Sequence, residues 1–122
     1  MYTISSLYPH KNLATLIKAV ANLKENYGSM MKLVISGVGG GQEDELNRII
    51  NKSQLEGIVV KTGFVSNEEK ACLLMNCSLF CFPSIFEGFG MPPVEAILCG
   101  IPVLTTEKNI NQRSDTRTGC VC

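Results

Sequence analysis

The sequence lacks an excess of charge of either sign, and it lacks long hydrophobic runs. Its 122 residues carry 11 basic and 11 acidic side chains, and no two Lys or Arg residues are adjacent. Without a basic patch, non-specific binding to nucleic acid or to an anionic membrane is disfavoured. No apolar run reaches the roughly 20 residues that span a bilayer, and the first residues lack the pattern of a signal peptide. We therefore predict a soluble, cytoplasmic chain with no nucleic-acid partner.

The sequence also lacks the cysteine and histidine spacing of a metal site. None of the six cysteines forms a C-x-x-C pair, and His10 is the only histidine. Cysteines that interrupt apolar runs usually behave as small buried hydrophobes. We interpret four of them as buried free thiols rather than disulfides or metal ligands: Cys72, Cys77, Cys81 and Cys99. Cys120 and Cys122 lie at the end of a polar tail and are predicted to be exposed.

Short apolar runs alternate with amphipathic stretches, a pattern typical of parallel βαβ units. Five strands are predicted, at Tyr2–Ser6, Lys32–Ser36, Ile58–Thr62, Ser78–Phe82 and Val103–Thr105. The continuous β-branched run of the second strand indicates a strand covered on both faces. The expected fold class is therefore α/β, a Rossmann-like doubly wound parallel sheet.

Four helices are predicted between these strands. The first follows Lys11 and ends at Gly28, the second begins near Gln42, and the fourth covers Val94–Cys99 after two prolines. The third begins with a Ser66 and Glu69 capping box. It is expected to direct Ala71, Leu74 and Met75 toward the core.

The domain boundary is predicted at residue 106. Residues 1–106 form the Rossmann-like domain, which we expect to be incomplete at its C-terminal end, and residues 107–122 form a polar tail predicted to be disordered. The sheet edge beside the fifth strand would then be unpaired, and an unpaired edge favours self-association.

The strongest functional signal lies after the fourth strand, where ligands of such sheets bind. Glu87 and Glu95 are separated by seven residues, with Gly88-Phe89-Gly90 and a helix start between them. Backbone N–H groups at glycines and at a helix N-terminus can hold an anion. Carboxylates accept hydrogen bonds from sugar hydroxyls. This order of groups fits a ligand with a phosphate between two diols, such as a nucleotide-sugar.

These residues carry a family resemblance. The run Phe82-Pro83-Ser84 through Glu87, Glu95 and Gly100 to Pro102-Val103 resembles the E-x7-E segment of retaining GT-B glycosyltransferases of the GT4-type group. The similarity extends back through Gly63-Phe64-Val65 to Lys11-Asn12, and covers residues 2 to about 106.

The resemblance implies the C-terminal, donor-binding half of a GT-B enzyme that transfers a hexose from a nucleoside-diphosphate sugar to a hydroxyl acceptor with retention, in polysaccharide or glycoconjugate synthesis. It implies that Glu87 contacts the transferred sugar, that Glu95 holds the ribose hydroxyls and that Lys11 neutralises the diphosphate. The backbone of Gly63, Phe64 and Val65 would face the nucleobase. The backbone of Gly88, Phe89 and Gly90 would face the phosphates or the sugar. No metal or other cofactor is implied.

Three features depart from the family pattern. Ser6 stands where many members carry an arginine, which leaves Lys11 as the expected cation unless His10 or another residue assists. The glycine-rich segment Gly37–Gly41 is longer than the usual G-x-G step. The domain that would bind the acceptor is absent, so we expect the isolated chain to be inactive in sugar transfer.

Other interpretations remain open on the residues alone. The chain could be a non-catalytic nucleotide-sugar-binding or scaffold module derived from such an enzyme. A dehydrogenase-like dinucleotide domain is disfavoured, because Gly37–Gly41 follows the second strand and lacks G-x-G-x-x-G spacing. This segment is predicted instead to be a flexible turn that lines the donor crevice. His10 is expected to be an exposed loop residue.

Overall fold

The computed structural model describes residues 1–86, 91–106 and, by backbone alone, 119–121. Six strands and four α-helices lie along it, and they alternate from the first strand to the fifth. The strands are β1 Tyr2–Ile4, β2 Leu33–Ser36, β3 Val59–Gly63, β4 Phe80–Phe82, β5 Val103–Thr105 and β6 Gly119–Val121. The helices are α1 Leu13–Tyr27, α2 Glu43–Lys52, α3 Asn67–Asn76 and α4 Met91–Leu98.

All the strand pairs in the sheet are parallel, in the order β3-β2-β1-β4-β5-β6. This order reverses direction between β1 and β4, which is the topological switch point of a Rossmann-like sheet. The loops after β1 and β4 therefore flank the crevice where ligands of this fold class bind. The predicted fold class is confirmed.

Two apolar clusters cover the two faces of the sheet. The larger contains buried side chains of α1 and α2, including Leu13, Ile17 and Leu46. The smaller contains Leu74 of α3 and Ala96 of α4 packed on Tyr2, Phe80, Phe82 and Val103. Helices cover both faces of the central strands, and β4, for example, is buried along its whole length, whereas β3 at the edge is buried only at Val59.

The helix boundaries follow local chemistry. Gly28 ends α1 with a φ of 62°, a conformation that glycine adopts without strain. The hydroxyl of Ser66 accepts from Glu69 N at 3.2 Å, and Ser66 N donates to the Glu69 carboxylate at 2.8 Å. The predicted capping box is confirmed. Helix α4 begins three residues earlier than predicted, because Pro92 and Pro93 are tolerated inside its first turn.

The orientation predicted for α3 is partly wrong. Leu74 is buried, but Ala71 and Met75 are exposed, Met75 by 66%. Only a narrow strip of this helix contacts the sheet, so the 3.6-residue period alone did not identify the buried positions.

The tail prediction is also wrong in part. Residues 119–121 form β6, which pairs with β5 through Val103↔Gly119, Leu104↔Cys120 and Thr105↔Val121. The 13 residues between Thr105 and Gly119 match the dozen or so that a parallel crossover needs. The edge predicted to be unpaired is therefore occupied. Residues 107–118 and Cys122 lie outside the described residues.

The predictions for the cysteines are confirmed in part and wrong in part. None of the four cysteines that the structure describes is in a disulfide, as predicted. Cys81 is buried in β4 and Cys77 is half-buried, whereas Cys72 and Cys99 are exposed, contrary to the prediction. Cys72 lies on the outer side of α3, and Cys99 follows the last turn of α4.

Alkylation should therefore proceed in a defined order. With iodoacetamide at pH 8, we expect Cys72 and Cys99 to react before Cys77 and Cys81. Burial raises the pKa of the Cys77 thiol, which leaves less thiolate at that pH and slows its reaction. Cys81 should react only when the chain unfolds. Peptide mass spectrometry over time would measure this order, with a urea-unfolded sample as control. Equal rates for Cys81 and Cys72 in the folded chain would contradict it.

Candidate functional site

The connection after β1 places Lys11 at the carboxyl edge of the sheet. Residues Pro9–Lys11 form a single 3₁₀ turn, and Asn12 follows with a φ of 57°. Asn12 N donates to Pro9 O at 3.0 Å, and the Thr15 hydroxyl donates to the Asn12 side-chain oxygen at 2.6 Å. Lys11 is half-buried and lies two residues before the start of α1. A cation there is well placed to meet an anionic ligand at the switch point.

The glycine-rich segment after β2 packs closely against the connection after β1. Leu7 N donates to Gly39 O at 2.8 Å, and Gly37 N donates to Gly63 O at 2.8 Å. A Cβ on Gly37 would lie 1.8 Å from Ser5 O, and one on Gly40 would lie 2.3 Å from the Leu7 carbonyl carbon. At Gly37 and Gly40 the absence of a side chain lets two backbones touch, a packing role that the prediction of a flexible turn did not include.

Ser84 joins the loops after β1 and β4. It is 1% exposed, and its hydroxyl lies 3.3 Å from His10 O and 3.2 Å from Phe86 O. Ile85 N donates to His10 O at 2.8 Å, and the Thr106 hydroxyl donates to Ser84 O at 2.8 Å. Ser84 thus links the carboxyl ends of β1, β4 and β5. Sequence reasoning quoted this serine within the motif but assigned it no role.

The aromatic side chains around this crevice differ in environment. Phe80 and Phe82 are buried and form part of the core. Phe86 is 80% exposed. His10 is exposed, as expected, and its ring stacks on that of Tyr8 with centroids 5.7 Å apart.

The segment Gly63-Phe64-Val65 connects β3 to α3. Gly63 ends the strand with a φ of 73°, and its carbonyl accepts from Gly37 N. Phe64 is 80% exposed, whereas Val65 is half-buried next to the capping box of α3. The segment lies at the same edge of the sheet as Lys11, since all these strands run parallel.

Glu95 lies in the second turn of α4 and forms an ion pair that the sequence did not indicate. The Lys70 ammonium lies 3.0 Å from one carboxylate oxygen and 3.2 Å from the other. The Lys70 and Glu95 side chains are 27% and 35% exposed. Lys70 comes from α3, so the pair joins the two helices on this face of the sheet. A single lysine in a polar helix carries no sequence signal that would have identified it.

The structure brings Lys11, Gly63-Phe64-Val65 and Glu95 to the carboxyl side of one parallel sheet. The other predicted site residues, Glu87, Gly88, Phe89 and Gly90, lie outside the described residues. Of the described side chains of His, Cys, Asp and Glu, no three come together in a group that could hold a metal ion. Among the described helices, none is long and apolar enough to cross a membrane.

This sheet order and the placement of these loops define the chain as a Rossmann-like domain. The family model for glycosyl transferases group 1 matches residues 1–114. The chain belongs to this family. The match runs past residue 106, so the family similarity reaches further into the predicted tail than the motifs indicated.

Curated relatives support this assignment. The chain is 33% identical over 101 residues to O-antigen chain mannosyltransferase B of Escherichia coli, which covers 83% of this chain and 26% of the relative. It is 36% identical over 111 residues to N-acetylgalactosamine-N,N'-diacetylbacillosaminyl-diphospho-undecaprenol 4-alpha-N-acetylgalactosaminyltransferase of Campylobacter jejuni. That similarity covers 91% of this chain and 28% of the relative. The chain therefore spans only about a quarter of the length of these two proteins.

A solved structure shows the same fold. The crystal structure of Anabaena HepE in complex with UDP and glucose superposes with a TM-score of 0.83 at 27% identity. The similarity covers 99% of this chain and 33% of HepE. Nearly all of this chain therefore corresponds to about one third of that protein.

Proposed function

We propose that this chain is the nucleotide-sugar-binding part of a retaining glycosyltransferase of the GT4-type group that transfers a hexose to a hydroxyl acceptor. The observation that carries the proposal is the placement of Lys11, Gly63-Phe64-Val65 and Glu95 along one crevice edge of a Rossmann-like sheet. A cation, a backbone segment and a carboxylate there match the three parts of a nucleoside diphosphate. Relatives named as mannosyltransferase and N-acetylgalactosaminyltransferase, and a neighbour that binds UDP and glucose, support it.

Each residue has a proposed role in holding the donor. Gly63, Phe64 and Val65 present backbone groups to the nucleobase, and Glu95 accepts hydrogen bonds from the ribose hydroxyls. Lys11 neutralises the diphosphate. Gly88, Phe89 and Gly90 hold the phosphates or the sugar through backbone groups, and Glu87 contacts hydroxyls of the transferred hexose.

The proposed reaction exchanges one C–O bond for another at the anomeric carbon. The bond from this carbon to the diphosphate oxygen breaks, and the electron pair leaves with the diphosphate. The acceptor hydroxyl oxygen bonds to the same carbon on the same face, and its proton passes to the released diphosphate. Lys11 stabilises the charge that develops on the leaving group, a task that a fixed cation performs without a divalent metal.

The acceptor is proposed to bind a second domain, and transfer would require both. The chain spans about a quarter of its relatives, which is consistent with a donor-binding part. We propose that the whole protein acts in the cytoplasm, in polysaccharide or glycoconjugate synthesis, and that the chain alone does not transfer sugar.

Glu95→Ala tests the donor site directly. The variant should bind nucleoside diphosphates about tenfold or more weakly, because hydrogen bonds from the ribose hydroxyls to a charged acceptor are lost. Ligand-observed NMR titrations with UDP, GDP and ADP and their glucose or mannose conjugates would measure the affinities. Glu25→Ala, on the exposed side of α1, is the matched control. Unchanged affinity in the Glu95 variant would rule out its ribose-binding role.

A further inference from the structure

Lys70 engages both oxygens of the Glu95 carboxylate, at 3.0 and 3.2 Å. A carboxylate oxygen has two lone pairs, so each oxygen keeps one acceptor position for a further donor. The ion pair therefore leaves Glu95 able to accept hydrogen bonds from a diol while it holds the carboxylate in one orientation.

The position of Lys70 follows from the segment proposed to face the nucleobase. Gly63-Phe64-Val65 leads directly into the Ser66 capping box, which fixes the start of α3. Lys70 lies one turn further on and reaches across to α4. The base and the ribose of a nucleoside are adjacent, and this ion pair connects the two protein segments proposed to bind them.

The Lys70 side chain is 27% exposed, so much of it is covered by the protein. Burial raises the pKa of the Tyr2 hydroxyl, and the positive charge of Lys70 opposes that rise. Tyr2 is 1% exposed in β1. The positive charge of Lys70 therefore acts on the covered face of the sheet as well as on the Glu95 carboxylate.

The ribose carries no positive charge that could balance the Glu95 carboxylate once a bound nucleoside covers it. A bound nucleoside would exclude water from Glu95, and a buried charge without an opposite charge is costly. The ribose hydroxyls are neutral donors. We propose that Lys70 is a positioning residue that orients Glu95 and balances its charge when the donor's ribose is bound. This inference rests on the proposed function.

The pair should matter more for binding than for folding. Ion pairs with this degree of solvent exposure contribute little to stability, since water screens them. When a ligand covers the pair, the local dielectric falls and the attraction between the two charges grows. Lys70→Met is therefore expected to change the melting temperature by no more than about 4 °C, while it removes the ribose contribution to binding.

The experiment compares a nucleoside diphosphate with its 2′,3′-dideoxy counterpart, using the base that the wild-type chain prefers. Calorimetric titrations would be run on wild type, Lys70→Met, Lys70→Arg, Glu95→Gln and the Lys70→Met/Glu95→Gln double variant. Lys18→Met, an exposed lysine of α1, is the matched control. The measured quantity is the ratio of the two affinities, because a general loss of fold lowers both affinities together.

We expect wild type and the Lys18 control to prefer the ribonucleotide by about tenfold or more. Lys70→Met should lose most of this preference and keep its affinity for the dideoxynucleotide within about threefold. Lys70→Arg should retain the preference, since it keeps the charge. In the Glu95→Gln background, Lys70→Met should cause no further loss of preference, because it acts through Glu95.

Two outcomes would overturn the proposed role of Lys70 and leave the proposed donor site intact. A full ribose preference in Lys70→Met would show that Glu95 does not depend on it. An equal loss for both nucleotides would show that Lys70 acts on the phosphates or on the fold. If wild type binds nucleotides without a ribose preference, or binds none, the proposed donor site itself fails and the inference fails with it.

Discussion

Replacing Gly37 by alanine is expected to reduce the free energy of unfolding by about 4 kcal/mol or more. The new Cβ would lie 1.8 Å from the carbonyl oxygen of Ser5, a contact with rigid backbone that cannot rotate away. Its φ of 134° is also a conformation that residues with a Cβ rarely adopt. To relieve the clash the segment must move, and the hydrogen bond from Gly37 N to Gly63 O is lost with it.

Gly39→Ala is the matched control for this prediction. Gly39 has a φ of 75°, but a Cβ there would meet nothing within 4 Å. Only the backbone strain remains, which costs about 1 to 2 kcal/mol. Urea unfolding followed by circular dichroism would give both values. Similar losses in the two variants would contradict close packing between the loops after β1 and β2.

Replacing Lys11 by methionine is expected to slow sugar transfer by about 100- to 1000-fold in the protein that contains this chain. A methionine keeps most of the apolar stem of the side chain and removes the charge. In the proposed reaction, negative charge grows on the diphosphate as the sugar bond breaks, so the cation would stabilise the transition state more than the bound donor. The loss should therefore appear mainly in kcat rather than in KM.

The control is Lys18→Met, since Lys18 is exposed on α1. Initial rates with a panel of nucleoside-diphosphate hexoses would compare the two variants. The absence of an arginine at Ser6 makes Lys11 the principal cation proposed at this position. A Lys11 variant with wild-type kcat would assign the leaving-group charge to another residue.

Much of the fold could be predicted because its signals are local. The apolar period of α1, the glycine at its end and the Ser66 and Glu69 capping box are determined within a few residues. The β-branched run of β2 likewise indicates a strand covered on both faces. Strand β6 could not be predicted, because it lies at the end of a polar segment without an apolar period and depends on pairing with β5.

The candidate site could likewise be predicted only in part. The two glutamates could be proposed from their spacing around a glycine-containing loop, and Lys11 from the family resemblance. The contacts that link one loop or helix to another could not be predicted from the sequence. Ser84 bonds to a carbonyl 74 residues away, and Lys70 pairs with a carboxylate 25 residues away. Neither partner is visible in the local pattern.

The sequence by itself determined the alternation of strands and helices, the two-sided burial of the sheet and the order of charged and glycine residues after each strand. These features follow from side-chain periodicity and turn chemistry, which act over a few residues. Only the tertiary structure decided that Gly37 and Gly40 allow close backbone contact, that β6 pairs with β5 and that Lys70 pairs with Glu95. These depend on distances between segments remote in the chain, which are set when the two apolar clusters pack on the sheet.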